Sequence, residues 1–246
     1  MNAAIFFEQN YRNVVERPNG RYWFHCMPLP SGDRIAGEHA DRNIQTKLWR
    51  TLGVNPSRKR VLDIGANDGF FTIAALLAGA DEVTAINLDQ CPTYPANLSF
   101  AAKEWGVTPN IIVGDFQVHR FAGKFDVIFF LGVLYHLENI FAAMRSLHAL
   151  LNEDGTLYIE TQMSQIQSPL PVYEGASDVS PTVAKQYKTS SGLIGGVSNY
   201  LFPNEAAMQN LAYGFDFSCE RLEGIYTHEY PSRGLFKLTK SMPGRT

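Results

Sequence analysis

Between residues 60 and 160 the chain alternates short apolar runs with longer amphipathic ones. Residues 61–64 (VLDI) are apolar and partly β-branched, with one acid inside, and predict a short buried strand. An apolar helical run follows at 70–77, then a strand at 82–88, a helix at 97–105 and a strand at 110–113. Residues 125–131 (FDVIFFL) are apolar nearly throughout, as a central parallel strand buried on both faces should be. A helix at 140–151, a turn at Gly155 and a fifth strand at 156–160 come next. A helix at 203–212 precedes two runs, 215–226 and 234–239, that read as a closing antiparallel pair. Strands alternating with crossover helices predict an α/β fold. The expected architecture is a doubly wound, mostly parallel seven-stranded sheet with a C-terminal antiparallel hairpin.

The flanks break this rhythm. Ile5, Phe6, Tyr11, Val14 and Val15 fit an amphipathic helix over 3–15. Residues 17–20 contain Pro18, Asn19 and Gly20 and predict a turn. Residues 21–37 are aromatic, then rich in proline and glycine, and predict an extended arm. Trp23 and His25 would point to one side of it, either packing on the core or covering a ligand. A helix over 41–52 follows from the stripe Ile44, Leu48, Trp49 and Leu52, with Gly53 as its cap. Residues 162–200 are rich in Ser, Gly, Pro and Thr, and too long for a simple connection, so they predict a lid or substrate segment. The expected division is an N-terminal part (1–53) covering a ligand site, and a main domain (54–246) with a lid at about 162–202.

Composition narrows the class. With 246 residues, 45% of them hydrophobic, the chain can bury a sizeable core. A formal charge of −3 and the lack of a basic tract give nucleic-acid binding no support from the overall balance. Cys26, Cys91 and Cys219 are scattered, suiting single thiols of a cytoplasmic protein and not a disulfide frame or a metal site. No signal peptide or membrane-spanning run is expected.

The chemistry starts at VLDIGANDGFF, residues 61–71, a strand, a glycine turn and a helix opening. The glycines let a ligand approach the backbone, and the helix start offers free N–H groups. A dinucleotide fingerprint needs G-x-G-x-x-G to seat a pyrophosphate, which disfavours a dehydrogenase. Here Asn67 and Asp68 lie inside G-x-x-x-G, and Asp68 would put negative charge where a pyrophosphate would lie. A ligand without phosphates fits better, and a side chain at Gly65 is expected to fill space that ligand needs. The strand end at Asn87, with Asp89 two residues on, stands where an acid would accept from a ribose diol. Asp115 can accept from an exocyclic amine, with apolar Phe116 beside the ring.

The D-x-G-x-x-x-G set (Asp63, Gly65, Gly69) resembles the first motif of the Rossmann-like S-adenosylmethionine-dependent methyltransferases, and the likeness runs over about 60–240. Within that family, the arm WFHCMPLPSG, the strand end FFLGVLYHL and the tail SNYLFPNEAAMQNLAYGF are similar to the tRNA wobble-uridine carboxymethyltransferase branch. The resemblance implies S-adenosyl-L-methionine as cofactor and counts Asp63 in its site. Gly65, Ala66, Asn67 and Gly69 would wrap the methionine part and the sulfonium, Asn87 and Leu88 would hold the ribose and flank the adenine, and Asp115 and Phe116 would hold the adenine. Leu131 and Tyr135 would sit near the methyl group. That branch holds an extra carboxylate with basic residues after the Leu-Pro pair. Here the stretch is Ser31, Gly32, Asp33 and Arg34, so Arg34 is its single cation and Asp33 opposes it.

The expectation is therefore plain methyl transfer to a small molecule, with a tRNA methyl or carboxymethyl transferase as one alternative. A binding protein that has lost catalysis is another, suggested by Asn87. His136 is the first candidate for a base, the other reading being a histidine bonded to a backbone carbonyl. Tyr135 would orient the acceptor. His25, Glu160 and His228 are weaker candidates, and His119 is expected to be exposed.

Overall fold

A computed structural model describes residues 4–8, 11–37, 44–91, 93–175, 199–224 and 232–241. Helix α1 (Ala4–Phe7) leads to β1 (Val14–Val15), β2 (Met27–Pro28) and β3 (Arg34–Ile35). Next come α2 (Ile44–Leu52), β4 (Arg60–Ile64), α3 (Phe70–Leu77), β5 (Glu82–Asn87), α4 (Ala96–Trp105) and β6 (Asn110–Val113). The chain continues through β7 (Phe125–Leu131), α5 (Ile140–Leu150), β8 (Leu151–Gln162), β9 (Tyr173–Gly175) and β10 (Leu201–Pro203). Helix α6 (Glu205–Tyr213), β11 (Phe217–Arg221) and β12 (Arg233–Lys240) complete it.

The central sheet has seven strands in the order β11-β12-β8-β7-β4-β5-β6. Strands β4 to β8 are parallel, and β12 runs antiparallel between β8 and β11. Period-2 alternation divides the strand residues between two cores. Val61, Val83, Ala85, Val127 and Phe129 pack with α2, α3 and α4. Leu62, Ile64, Ile86, Ile128 and Phe130 pack with α5 and α6. Helix α3 buries every residue from Phe70 to Ala75, so its continuous apolar run reflects burial all round.

Two expected elements differ. The helix over 3–15 stops at Phe7, because residues 12–15 pair instead with the segment around β3. The Arg12 N–H donates to the Gly32 carbonyl at 2.8 Å and the Arg34 N–H to the Asn13 carbonyl at 2.9 Å. Gly155 does not sit in a turn before a strand; α5 runs straight into β8 at Leu151. Leu151 pairs with Phe125 but Thr156 with Val127, so the extra residues bulge out of the strand. The expected lid falls largely on residues 176–198, outside the described residues. Its flanks form the antiparallel pair β9–β10.

The arm is bound to the main sheet's helices by buried polar side chains. Asp68 Oδ2 accepts from the Phe24 N–H at 2.7 Å and the His25 N–H at 2.8 Å. Asn97 Nδ2 donates to the Tyr22 carbonyl at 2.7 Å, and Trp105 Nε1 to the Pro28 carbonyl at 2.9 Å. Trp23 is buried edge-on to Phe100, so the packing alternative holds for it. Asp68→Ala removes both hydrogen bonds and should cost about 2–4 kcal/mol. Urea titration measures that loss, and faster tryptic cleavage after Arg21 reports the released arm.

Candidate active site

The strand order reverses beside β4: β5 and β6 lie to one side, β7 and β8 to the other. A crevice opens past the carboxyl ends at such a switch point. The turn after β4 enters it. The Gly65 N–H donates to the Ile86 carbonyl at 2.9 Å, and Gly65, Asn67 and Gly69 have φ of 76°, 52° and 86°. A β-carbon on Gly65 would stand 2.5 Å from Val133 Cγ2, and one on Gly69 would stand 2.2 Å from Leu98 Cδ1. Both glycines are thus demanded by the chain's own packing. A side chain at Gly65 thus meets Val133. Ala66 is buried, and Asn67 turns its Oδ1 to Thr93 Oγ1, which donates to it.

Neither acid of the motif faces the crevice as expected. Asp63 is 3% exposed and accepts from Thr72 Oγ1 at 2.6 Å, tying β4 to α3. Burial pushes its carboxyl up to about 6, against the opposing pull of the Thr72 hydrogen bond and the His25 charge. Asp68 is 0% exposed and turned to the arm, so it does not lie in the path of a phosphate. The dinucleotide fingerprint is disfavoured by the glycine spacing alone. His25 Nδ1 lies 3.1 Å from Asp68 Oδ1, off the line of a hydrogen bond. His25 is therefore held on the arm against Asp68, while His228 lies outside the described residues.

On one side of the crevice, Asn87 Oδ1 accepts from the Leu88 N–H at 2.8 Å and the Asn87 carbonyl from the Gly114 N–H at 2.8 Å. A β-carbon on Gly114 would meet nothing within 4 Å, so open space borders this strand end. Asp115 caps its own turn through the Gln117 N–H at 2.9 Å. Phe116 is buried against Phe130 with ring centroids 5.5 Å apart, and Leu88 is exposed. Asn87, Leu88, Asp115 and Phe116 thus stand at adjacent strand ends beside that space, a donor, acceptor and apolar set that fits a purine nucleoside.

On the other side, β7 ends at Leu131 and passes through Gly132 and Val133 into a single 3₁₀ turn, Leu134–His136. The Tyr135 and His136 rings lie 4.1 Å apart, and the Tyr135 carbonyl accepts from the Tyr200 N–H at 2.8 Å. Sequence reasoning missed Arg233. Its Nη2 donates to Tyr135 Oη at 3.2 Å and to Glu160 Oε2 at 2.7 Å, and its Nε donates to Glu160 Oε1. Because β12 runs antiparallel, its first residue lands opposite Gln162, at the edge where the parallel strands end. His119 is exposed, as expected. Among the described residues no cluster of three or more His, Cys, Asp or Glu could hold a metal ion, and no helix is long and apolar enough to cross a membrane.

This strand order, glycine turn and crevice define a Rossmann-like methyltransferase fold. The N-terminal domain of EvdMO1, solved with S-adenosylhomocysteine and D-fucose, superposes with a TM-score of 0.64 at 15% identity, covering 89% of this chain and 91% of that one. The Burkholderia thailandensis 1,6-didemethyltoxoflavin-N1-methyltransferase gives 0.55 at 19% identity, covering 82% and 78%. A methyltransferase-domain family model matches residues 36–222, and the chain belongs to that family. Among curated sequences, the tRNA U34 carboxymethyltransferase of Campylobacter concisus is 29% identical over 111 residues, 44% of this chain and 37% of that protein. The match thus spans well under half the length of that relative.

The pH response of Asp63 is testable. Its folded value lies above the ordinary carboxylate value, so the native state binds the proton first as pH falls. Relative to Asp63→Asn, wild-type stability should rise by about 2 kcal/mol between about pH 7 and pH 4. Parallel denaturation curves for the two proteins would refute this.

Proposed function

We propose that this chain is an S-adenosylmethionine-dependent methyltransferase whose acceptor enters over Tyr135. The observation that carries the reading is the reversal of strand order at β4, which brings the glycine turn, the Asn87 and Asp115 strand ends and Tyr135 to one edge of the sheet. The cofactor supplies a methyl already activated on a sulfonium. The chain's own task is alignment and exclusion of water, which can supply several kcal/mol. Gly65 to Gly69 hold the methionine part, and Asn87 with Leu88 holds the ribose. Asp115 accepts from the adenine amine, which stacks beside Phe116. Leu131 borders the methyl. Asp63 acts beneath the turn as a positioning residue. Tyr135 orients the acceptor and His136 takes its proton where one must leave. The N-terminal arm covers the glycine turn, tied to it through Asp68.

For the acceptor, a specific observation favours each of two readings. The relatives named tRNA U34 carboxymethyltransferase support a tRNA uridine. The formal charge of −3 supports a small molecule. RNA binding through phosphates would make affinity fall steeply with added salt. Titrating tRNA between about 50 and 200 mM salt separates the two: a steep loss supports the RNA acceptor, and no binding at low salt supports the small one.

Calorimetry with S-adenosylhomocysteine tests the cofactor. Asp115→Ala should weaken it about tenfold, the worth of one good hydrogen bond. His136→Ala should lower kcat by about 10²-fold or more with cofactor affinity retained. No heat of binding in the wild type would leave the non-catalytic alternative standing and sink the proposal.

A further inference from the structure

We propose that Tyr200 is the platform on which a planar, uncharged heterocyclic acceptor stacks. The inference rests on the reading above that the acceptor enters over Tyr135. It adds to that reading a residue and a ring chemistry.

Tyr200 is fixed at both ends although its side chain reaches solvent. Its N–H donates to the Tyr135 carbonyl at 2.8 Å, and its Oη donates to Glu138 Oε1 at 2.9 Å. Those two partners belong to the 3₁₀ turn Leu134–His136 and the residues just after it. The ring therefore lies along the turn that follows β7, at the carboxyl edge of the parallel strands. It is 38% exposed and, among the described residues, packs against no other aromatic ring. An exposed side chain ordinarily keeps its rotamer freedom. Holding this one still in advance lowers the cost of laying a ligand on it.

The Tyr135 ring cannot take that part. It is 4% exposed, with the Arg233 guanidinium 5.3 Å from its centroid and the rings of His136 and Phe202 at 4.1 and 6.4 Å. Its surroundings are thus filled by the chain itself. An acceptor entering over Tyr135 meets the Tyr200 ring as the open one of the two.

Glu138 sets the charge of what can lie there. Its carboxylate stands at the phenol end of the ring and opposes a phosphate or carboxylate on the part of the ligand that stacks. An uncharged planar heterocycle, such as a nucleobase, meets no such opposition and presents a π face to the ring.

The test first measures S-adenosylhomocysteine binding, then titrates uridine and dihydrouridine into the loaded protein and follows the ligand NMR signals. The two nucleosides share the ring N–H, both carbonyls and the ribose, but the saturated base is puckered. The wild type should bind uridine about tenfold more tightly than dihydrouridine. Tyr200→Leu, at an exposed position, should bring the two within about twofold of each other, while Tyr200→Phe, which keeps the ring, should retain most of the preference. Equal affinities in the wild type overturn the proposal, and this arm needs no variant to fold. A preference that survives Tyr200→Leu, or no binding of uridine to the loaded protein, also overturns it. If S-adenosylhomocysteine itself does not bind, the cofactor reading fails and takes this proposal with it.

Discussion

The reversal of strand order beside β4 governs everything that borders the crevice. The chain leaves β4 towards β5 and β6, then crosses back to lay β7 on the other flank. Neighbouring strand ends then diverge, and side chains cannot close the gap between them. The residues that border it come from separate segments: the turn at Gly65, the ends of β5 and β6, and the short turn after β7. Rigid hydrogen-bonded strands hold each of them, so the site is built on elements with little freedom to drift.

Two acids of one motif have different structural work. Asp63 joins a strand to the helix above it through Thr72, and Asp68 joins the same helix start to the arm. Both brace the turn that follows β4, and both are buried. A motif that reads as a binding loop is thus half scaffold.

Most of the sheet was legible because its strands are buried on both faces and therefore apolar without interruption, FDVIFFL most of all. Helix α3 was legible for the same reason. The segment 3–15 was not, since its apolar spacing fits a helix while long-range pairing with residues 32–35 prevails over that local preference. Gly155 signals a turn in any sequence, and a bulge satisfies the same conformational need inside a strand. The strand ends at Asn87 and Val113 could be read because each closes a parallel strand. Arg233 could not, because it begins an antiparallel one, and local sequence carries no sign of the edge at which a strand starts.

The position of β12 bears on how the protein matures on the ribosome. Its neighbours β8 and β11 both precede it in the chain, so it must slot between strands already made. Until it does, Glu160 is an acid in an apolar setting without its guanidinium, which a folding intermediate tolerates poorly. The glycine turn and both purine-side strand ends emerge long before. The contacts of Arg233 with Glu160 and Tyr135 are therefore among the last to form, after the rest of the parallel sheet has been made.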